Sequence, residues 1–95
     1  TMQTVWVVIG YIGHYEDYNE WLIAAYPDEQ EAHRHVDLAW GERNRIASGE
    51  TYKVKFETAN KYDPRTPIHE VPDCKYRVSK IEMFTDILQF TLAES

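Results

Sequence analysis

A chain of 95 residues with 43% hydrophobic and 14% aromatic residues, one cysteine and a net charge of −6 makes one domain with one modest core. That composition excludes wholesale disorder, an internal disulfide framework and, with no run of about 18 apolar residues, a membrane span. The acid excess argues against direct binding of nucleic acid, which needs clustered Lys and Arg.

Thr4–Ile12 (TVWVVIGYI) is the clearest strand. Val5, Val7, Ile9 and Tyr11 line one face; Trp6, Val8 and Ile12 line the other. Both faces are apolar, which predicts a central strand covered on both sides. Gly10 has no side chain and marks a bulge or a close neighbour. Residues 13–19 (GHYEDYN) form a polar loop, and 20–26 (EWLIAAY) form a second strand. The connection is too short for a crossover helix, so the two strands make an antiparallel hairpin.

Pro27 ends that strand, and Asp28 with Glu31 three residues later matches a capping box. Ala32, Val36, Ala39, Trp40 and Ala47 then recur at helical spacing. Acids crowd the first turn, Arg43 and Arg45 the last, and Ser48-Gly49 supplies the stop. The helix is expected over 28–47. Residues 51–58 (TYKVKFET) alternate, with Tyr52, Val54 and Phe56 inward and the lysines outward, which predicts an edge strand.

Residues 59–73 hold three prolines and form a long loop, with Asp63-Pro64 opening a type I turn. Residues 74–83 (CKYRVSKIEM) are another strand. Its apolar phase shifts from Cys74, Tyr76 and Val78 to Ile81 and Met83, which predicts a bulge near Ser79-Lys80. The tail 85–92 (TDILQFTL) suits either a strand or a helical turn. Its uncharged run 87–92 would aggregate as a bare edge and is expected to be paired.

These elements define an α+β domain: an antiparallel sheet of four to five strands, one α-helix (about 28–47) packed on one face, order ββαββ(β). Residues 1–95 form a single domain, with 84–95 a C-terminal extension. One helix covers one sheet face. The other needs the proline-containing loop, the tail or a second subunit, and a homodimer is the preferred solution. Burying Trp6 and Ile12 alone is worth roughly 3–6 kcal/mol.

The charge is lopsided. Residues 1–33 carry six acids and no Lys or Arg, while residues 34–95 hold ten of each. A signal peptide, which needs a basic start, is not expected. Met2 is expected to be the natural start behind an added Thr1. The acid excess either serves solubility or meets a basic partner.

Each candidate for chemistry has a plainer alternative. His33 and His35 lie two apart on a helix and point about 200° from each other. One is expected at the surface and one against the sheet, with no shared metal. His69 and Cys74 could pair as a nucleophile and base, but a buried structural thiol suits Cys74 better. Gly10 and Gly13 do not complete a phosphate loop. No cofactor is expected.

The segment 14–21 (HYEDYNEW) interleaves Tyr15, Tyr18 and Trp21 with Glu16, Asp17 and Glu20. Aromatic anchors beside steering acids are the composition of a protein-binding surface; a solvated turn is the alternative. Asp28, Glu29 and Glu31 form a second acidic cluster, roughly 20–23 Å away at the other end of the strand.

Gly13, Tyr15, Asp17 and Trp21, then Ala24-Ala25-Tyr26, then Ala32, His35 and Val36, then Asn60, Tyr62, Asp63 and Pro64, and Tyr76 occur in an order that resembles small uncharacterised proteins of tailed bacteriophages and prophages. The resemblance spans about residues 5–80. In that family the tail after Met83 is usually short or absent, so 84–95 departs from the pattern. The resemblance implies a viral accessory protein of the bacterial host cytoplasm, and by analogy an inhibitor of a host defence or nucleic-acid-processing protein, anti-CRISPR-like.

The expected role is therefore a non-enzymatic module that binds a host protein's basic surface. Its partner-binding residues would be Tyr15, Glu16, Asp17, Tyr18 and Glu20, with Asp28, Glu29 and Glu31 second. One alternative is an enzyme or small-ligand binder with a site under the 60–73 loop, using Tyr62, Asp63, His69 and Cys74. Another is a structural homo-oligomer.

Overall fold

The computed structural model describes residues 2–84, with side chains through Glu82. The expected tail element at 85–92 and the extension 84–95 beyond Phe84 lie outside the described residues. The elements run β1 (Met2–Ile12), a 3₁₀ turn (Tyr15–Asp17), β2 (Asn19–Tyr26), α1 (Glu29–Ala47), α2 (Tyr52–Glu57), a 3₁₀ segment (Ile68–Asp73) and β3 (Lys75–Phe84). The fold is α+β. Its sheet has the order β2-β1-β3, all antiparallel, with β1 in the centre as its two-sided apolar pattern requires. No helix of the described residues is long and apolar enough to cross a membrane.

The described sheet has three strands, not four or five. The expected strand at 51–58 is the short helix α2. Thr51 caps it, its Oγ1 accepting the Val54 N–H at 3.2 Å. The alternation that suggested a strand also places Tyr52 and Phe56 four apart, and their rings meet at 4.9 Å on one helical face.

The helix α1 begins as expected. Asp28 caps it, accepting the Gln30 N–H at 2.8 Å. Among the described residues Glu31 makes no return bond, so the cap is single and not a box. Ala32, Val36 and Ala39 are buried against Val8, Cys74 and Tyr76, with Trp6, Ile12, Trp21 and Val78 packed around them. Small alanines let the helix approach the sheet closely. Ile46 near the end of α1 and Val71 in the 3₁₀ segment are both fully buried, and α1, α2 and the 3₁₀ segment pack on one another.

The helix therefore covers the Trp6–Val8–Ile12 face of β1, and the proline-containing loop lies on the same side, through Asp63 and Cys74. The opposite face carries Val5, Val7 and Ile9 with Leu22 and Ile81, the last two 49% and 42% exposed. This corrects the expectation that Trp6 and Ile12 need a second cover and that the loop could supply one.

The expected bulge at Ser79-Lys80 is absent, because β3 pairs with β1 in unbroken register. The apolar shift in β3 is a change of face: Tyr76 and Val78 point to the helix, Ile81 to the other side. The register shift lies between β1 and β2, where Val8 faces Ala24 and Ile9 faces Leu22, leaving Ile23 as the extra residue.

Candidate functional site

Two places on the described surface combine exposure with chemistry: the β1–β2 hairpin tip and a cleft beside α1.

At the tip, Gly13 has φ +84°, and a Cβ there would strike the Asp17 carbonyl. Only glycine fits this corner. Two residues on, Tyr15 also lies in the left-handed region, with φ +51°. A bulky residue there is uncommon and strained. The Asp17 N–H donates to the His14 carbonyl at 3.0 Å and the Tyr18 N–H to the Tyr15 carbonyl at 3.1 Å, locking the turn. Tyr15 is left 97% exposed, with Glu16 and Asp17 exposed beside it.

Tyr18 and Glu20 serve the base of this turn. The Tyr18 hydroxyl donates to Glu20 Oε2 at 2.7 Å, and Arg77 Nη2 on β3 donates to the same oxygen at 2.7 Å. The Arg77 guanidinium also lies 5.8 Å from the Tyr11 ring, and the Tyr11 and Tyr18 rings are 6.1 Å apart. The Tyr18 hydrogen bond, then Arg77, holds the Glu20 carboxyl below the usual carboxylate range. The predicted patch thus divides by bonding: all five residues are exposed, but Tyr18 and Glu20 are tied to each other and to Arg77, while Tyr15, Glu16 and Asp17 make no side-chain hydrogen bond among the described residues.

The second predicted cluster divides as well. Asp28 is the helix cap, and Glu29 lies 3.4 Å from His33 at the surface. Glu31 lines the cleft. The two acidic clusters sit at opposite ends of the eight-residue β2.

The cleft has a volume of about 350 Å³ and is lined by Tyr26 from the end of β2, Glu31, Arg34, His35 and Leu38 from α1, and Tyr62 from the loop. His35 is its organiser. Nε2 lies 2.8 Å from the Tyr62 carbonyl oxygen and Nδ1 lies 2.7 Å from the Tyr26 hydroxyl. A carbonyl only accepts, so Nε2 carries the proton. In the neutral imidazole Nδ1 is then the acceptor, and the Tyr26 O–H donates to it. One histidine holds both aromatic walls, its ring 5.8 Å from that of Tyr26 and 6.3 Å from that of Tyr62. His33 and His35 thus diverge as the helical geometry requires.

Under the loop lies a packed polar network. Asp63, 1% exposed, accepts from Trp21 Nε1 at 2.9 Å, from the Tyr76 hydroxyl at 2.9 Å and from the Thr66 hydroxyl. Asn60 donates to the Ala39 carbonyl at 3.1 Å and accepts the Tyr62 N–H at 2.9 Å. Burial, with Asp63 alongside, keeps the Tyr76 phenol protonated far above its ordinary range. Burial likewise pushes the Cys74 thiol up to about 11, and it donates to the Glu70 carbonyl at 3.2 Å. His69 is exposed, whereas Cys74 is fully buried. Of the residues proposed for a site under the loop, Asp63 and Cys74 pack the interior and only Tyr62 reaches the cleft.

Sequence reasoning missed the cleft. Glu31, Arg34, His35 and Leu38 follow the helical i, i+3, i+4, i+7 spacing, which identifies one face of α1. Nothing in that spacing points to Tyr62, 27 residues beyond His35. Among the described residues no group of three or more His, Cys, Asp or Glu is placed to hold a metal ion. No family model, curated protein or solved structure matches the chain.

Proposed function

We propose that the protein is a non-enzymatic binding module that engages a basic surface of another protein through the hairpin tip Tyr15–Asp17. The observation that carries this reading is Tyr15: a large aromatic side chain held wholly in solvent on a strained, hydrogen-bonded turn. Strained backbone at exposed residues clusters at binding sites. An exposed tyrosine offers contact area at low entropic cost, and Glu16 and Asp17 add attraction for Lys or Arg. The resemblance to phage proteins suggests a bacterial host protein as partner and inhibition as the outcome of binding.

Affinity capture from bacterial lysate tests the reading. A specific protein should be retained near 50 mM salt and released at higher salt, since exposed charges are screened. A Glu16→Lys/Asp17→Lys variant and Tyr15→Ala should each lose it without a change in melting temperature. Retention that ignores salt and both variants would overturn the assignment.

A second reading is self-association through the sheet face opposite α1. The exposed Leu22 and Ile81 beside Ile9 favour it. Light scattering across a range of protein concentrations reports the mass directly.

A further inference from the structure

Beyond that reading, the cleft beside α1 has the chemistry of a small-molecule site, and we infer that it binds a free aromatic amino acid as its zwitterion. Three elements build it, so its shape depends on the folded chain. At about 350 Å³ it stands at the small end of ligand pockets. Its two walls are the half-buried rings of Tyr26 and Tyr62, with Leu38 beside them. Aromatic walls receive a planar apolar body by edge or offset contact.

The rim carries opposite charges. Glu31 and Arg34 are one helical turn apart, so their side chains start about 5–6 Å from each other. Among the described residues neither makes an ion pair or a side-chain hydrogen bond. An ammonium group satisfies Glu31, and a carboxylate satisfies the guanidinium of Arg34, which is suited to gripping both oxygens. A ligand with only one of these charges would face a like charge on the rim. The α-ammonium and α-carboxylate of a free amino acid sit close enough to meet both, with the aromatic side chain directed between the tyrosines.

His35 is a positioning residue here. Both its ring nitrogens are used to hold the walls, one through the Tyr26 hydroxyl and one through the Tyr62 carbonyl. The walls are therefore in place before a ligand arrives, which lowers the ordering cost of binding.

Titration of the full chain with L-phenylalanine, followed by NMR, tests the inference. Saturable shifts should centre on Tyr26, His35, Leu38 and Tyr62. N-acetyl-L-phenylalanine, without the ammonium, and L-phenylalaninamide, without the carboxylate, should each bind about two- to fivefold more weakly, the range an exposed ion pair supplies. Glu31→Gln should erase the preference over the acetylated compound only, and Arg34→Gln the preference over the amide only. Both positions are exposed, so the fold should survive, and an unchanged amide spectrum elsewhere verifies this. Tyr62→Leu should weaken all three ligands together. No saturation by about 10 mM, shifts centred elsewhere, or affinity indifferent to both charges would overturn the proposal.

Discussion

Gly10 leaves the space that the indole of Trp21 occupies: a Cβ on Gly10 would stand 2.5 Å from Trp21 Nε1. That indole in turn donates to buried Asp63, so the missing side chain in β1 lets β2 hold the loop in place. Gly10→Ala should therefore cost about 1–3 kcal/mol by overpacking. Urea unfolding measures it, and Gly41→Ala, with open space around the added methyl, serves as a control expected to be neutral or stabilising.

Asp63 accepts from the buried Tyr76 and Thr66 hydroxyls and from the half-buried Trp21 indole, and removing it leaves all three hydrogens without that acceptor. Asp63→Ala should cost at least about 3 kcal/mol, whereas Trp21→Phe, which removes one of the three donors and keeps most of the ring's packing, should cost less. Chemical denaturation of the two variants checks the order; a near-neutral Asp63→Ala would show that the loop is held by packing alone.

Tyr15 is strained where it stands. Tyr15→Gly relieves the left-handed penalty, roughly 1 kcal/mol, partly offset by greater unfolded-state entropy. Its melting temperature should be equal to or above that of the parent while partner capture is lost. A fall in stability would mean that Tyr15 serves the fold and not binding.

The Cys74 thiol should be inert in the native protein. Its value is raised by burial from 9.0 to about 11. A raised folded value makes the contribution to stability complete below pH 9 and lost as pH rises toward about 11. Alkylation near pH 8 should require unfolding, and Cys74→Ala should flatten the alkaline decline in stability between those limits. Rapid labelling of folded protein would contradict the burial argument.

Glu20 governs the acid side of the hairpin base. Its value lies below the ordinary 4.5, first through Tyr18 and then through Arg77. A lowered folded value means stabilisation that is present above pH 4.5 and lost as pH falls through the folded value. Glu20→Gln should thus narrow the stability difference between about pH 6 and pH 3. The effect is small, because the carboxylate is solvated.

Local signals were read well where one physical rule dominates. Val5 to Ile12 are apolar on both faces, as a central strand must be, Asp28 caps a helix because its side chain reaches an unpaired N–H, and a seven-residue polar connection (13–19) between apolar runs admits only a hairpin. The same logic failed at 51–58, since Tyr52, Val54 and Phe56 satisfy strand and helix spacing alike over so short a run. At β3 an apolar phase change looked like a bulge because one sequence cannot show that a strand borders different environments along its length. At Tyr15–Asp17 composition signals exposure, and these residues are exposed. The bonded role of Tyr18 and Glu20 at the base of the turn depends on Arg77, 57 positions beyond Glu20.

Hydrophobic periodicity, turn chemistry and charge distribution are properties of neighbours along the chain, and from them follow the α+β class, the hairpin, the long helix and the acidic, aromatic tip. Tertiary structure alone decided which face of β1 the helix covers, that Asp63 is an interior acceptor for Trp21 and Tyr76, and that His35 joins Tyr26 to Tyr62 around a cleft. Those outcomes depend on contacts between residues far apart in the chain, and such contacts leave no trace in local spacing.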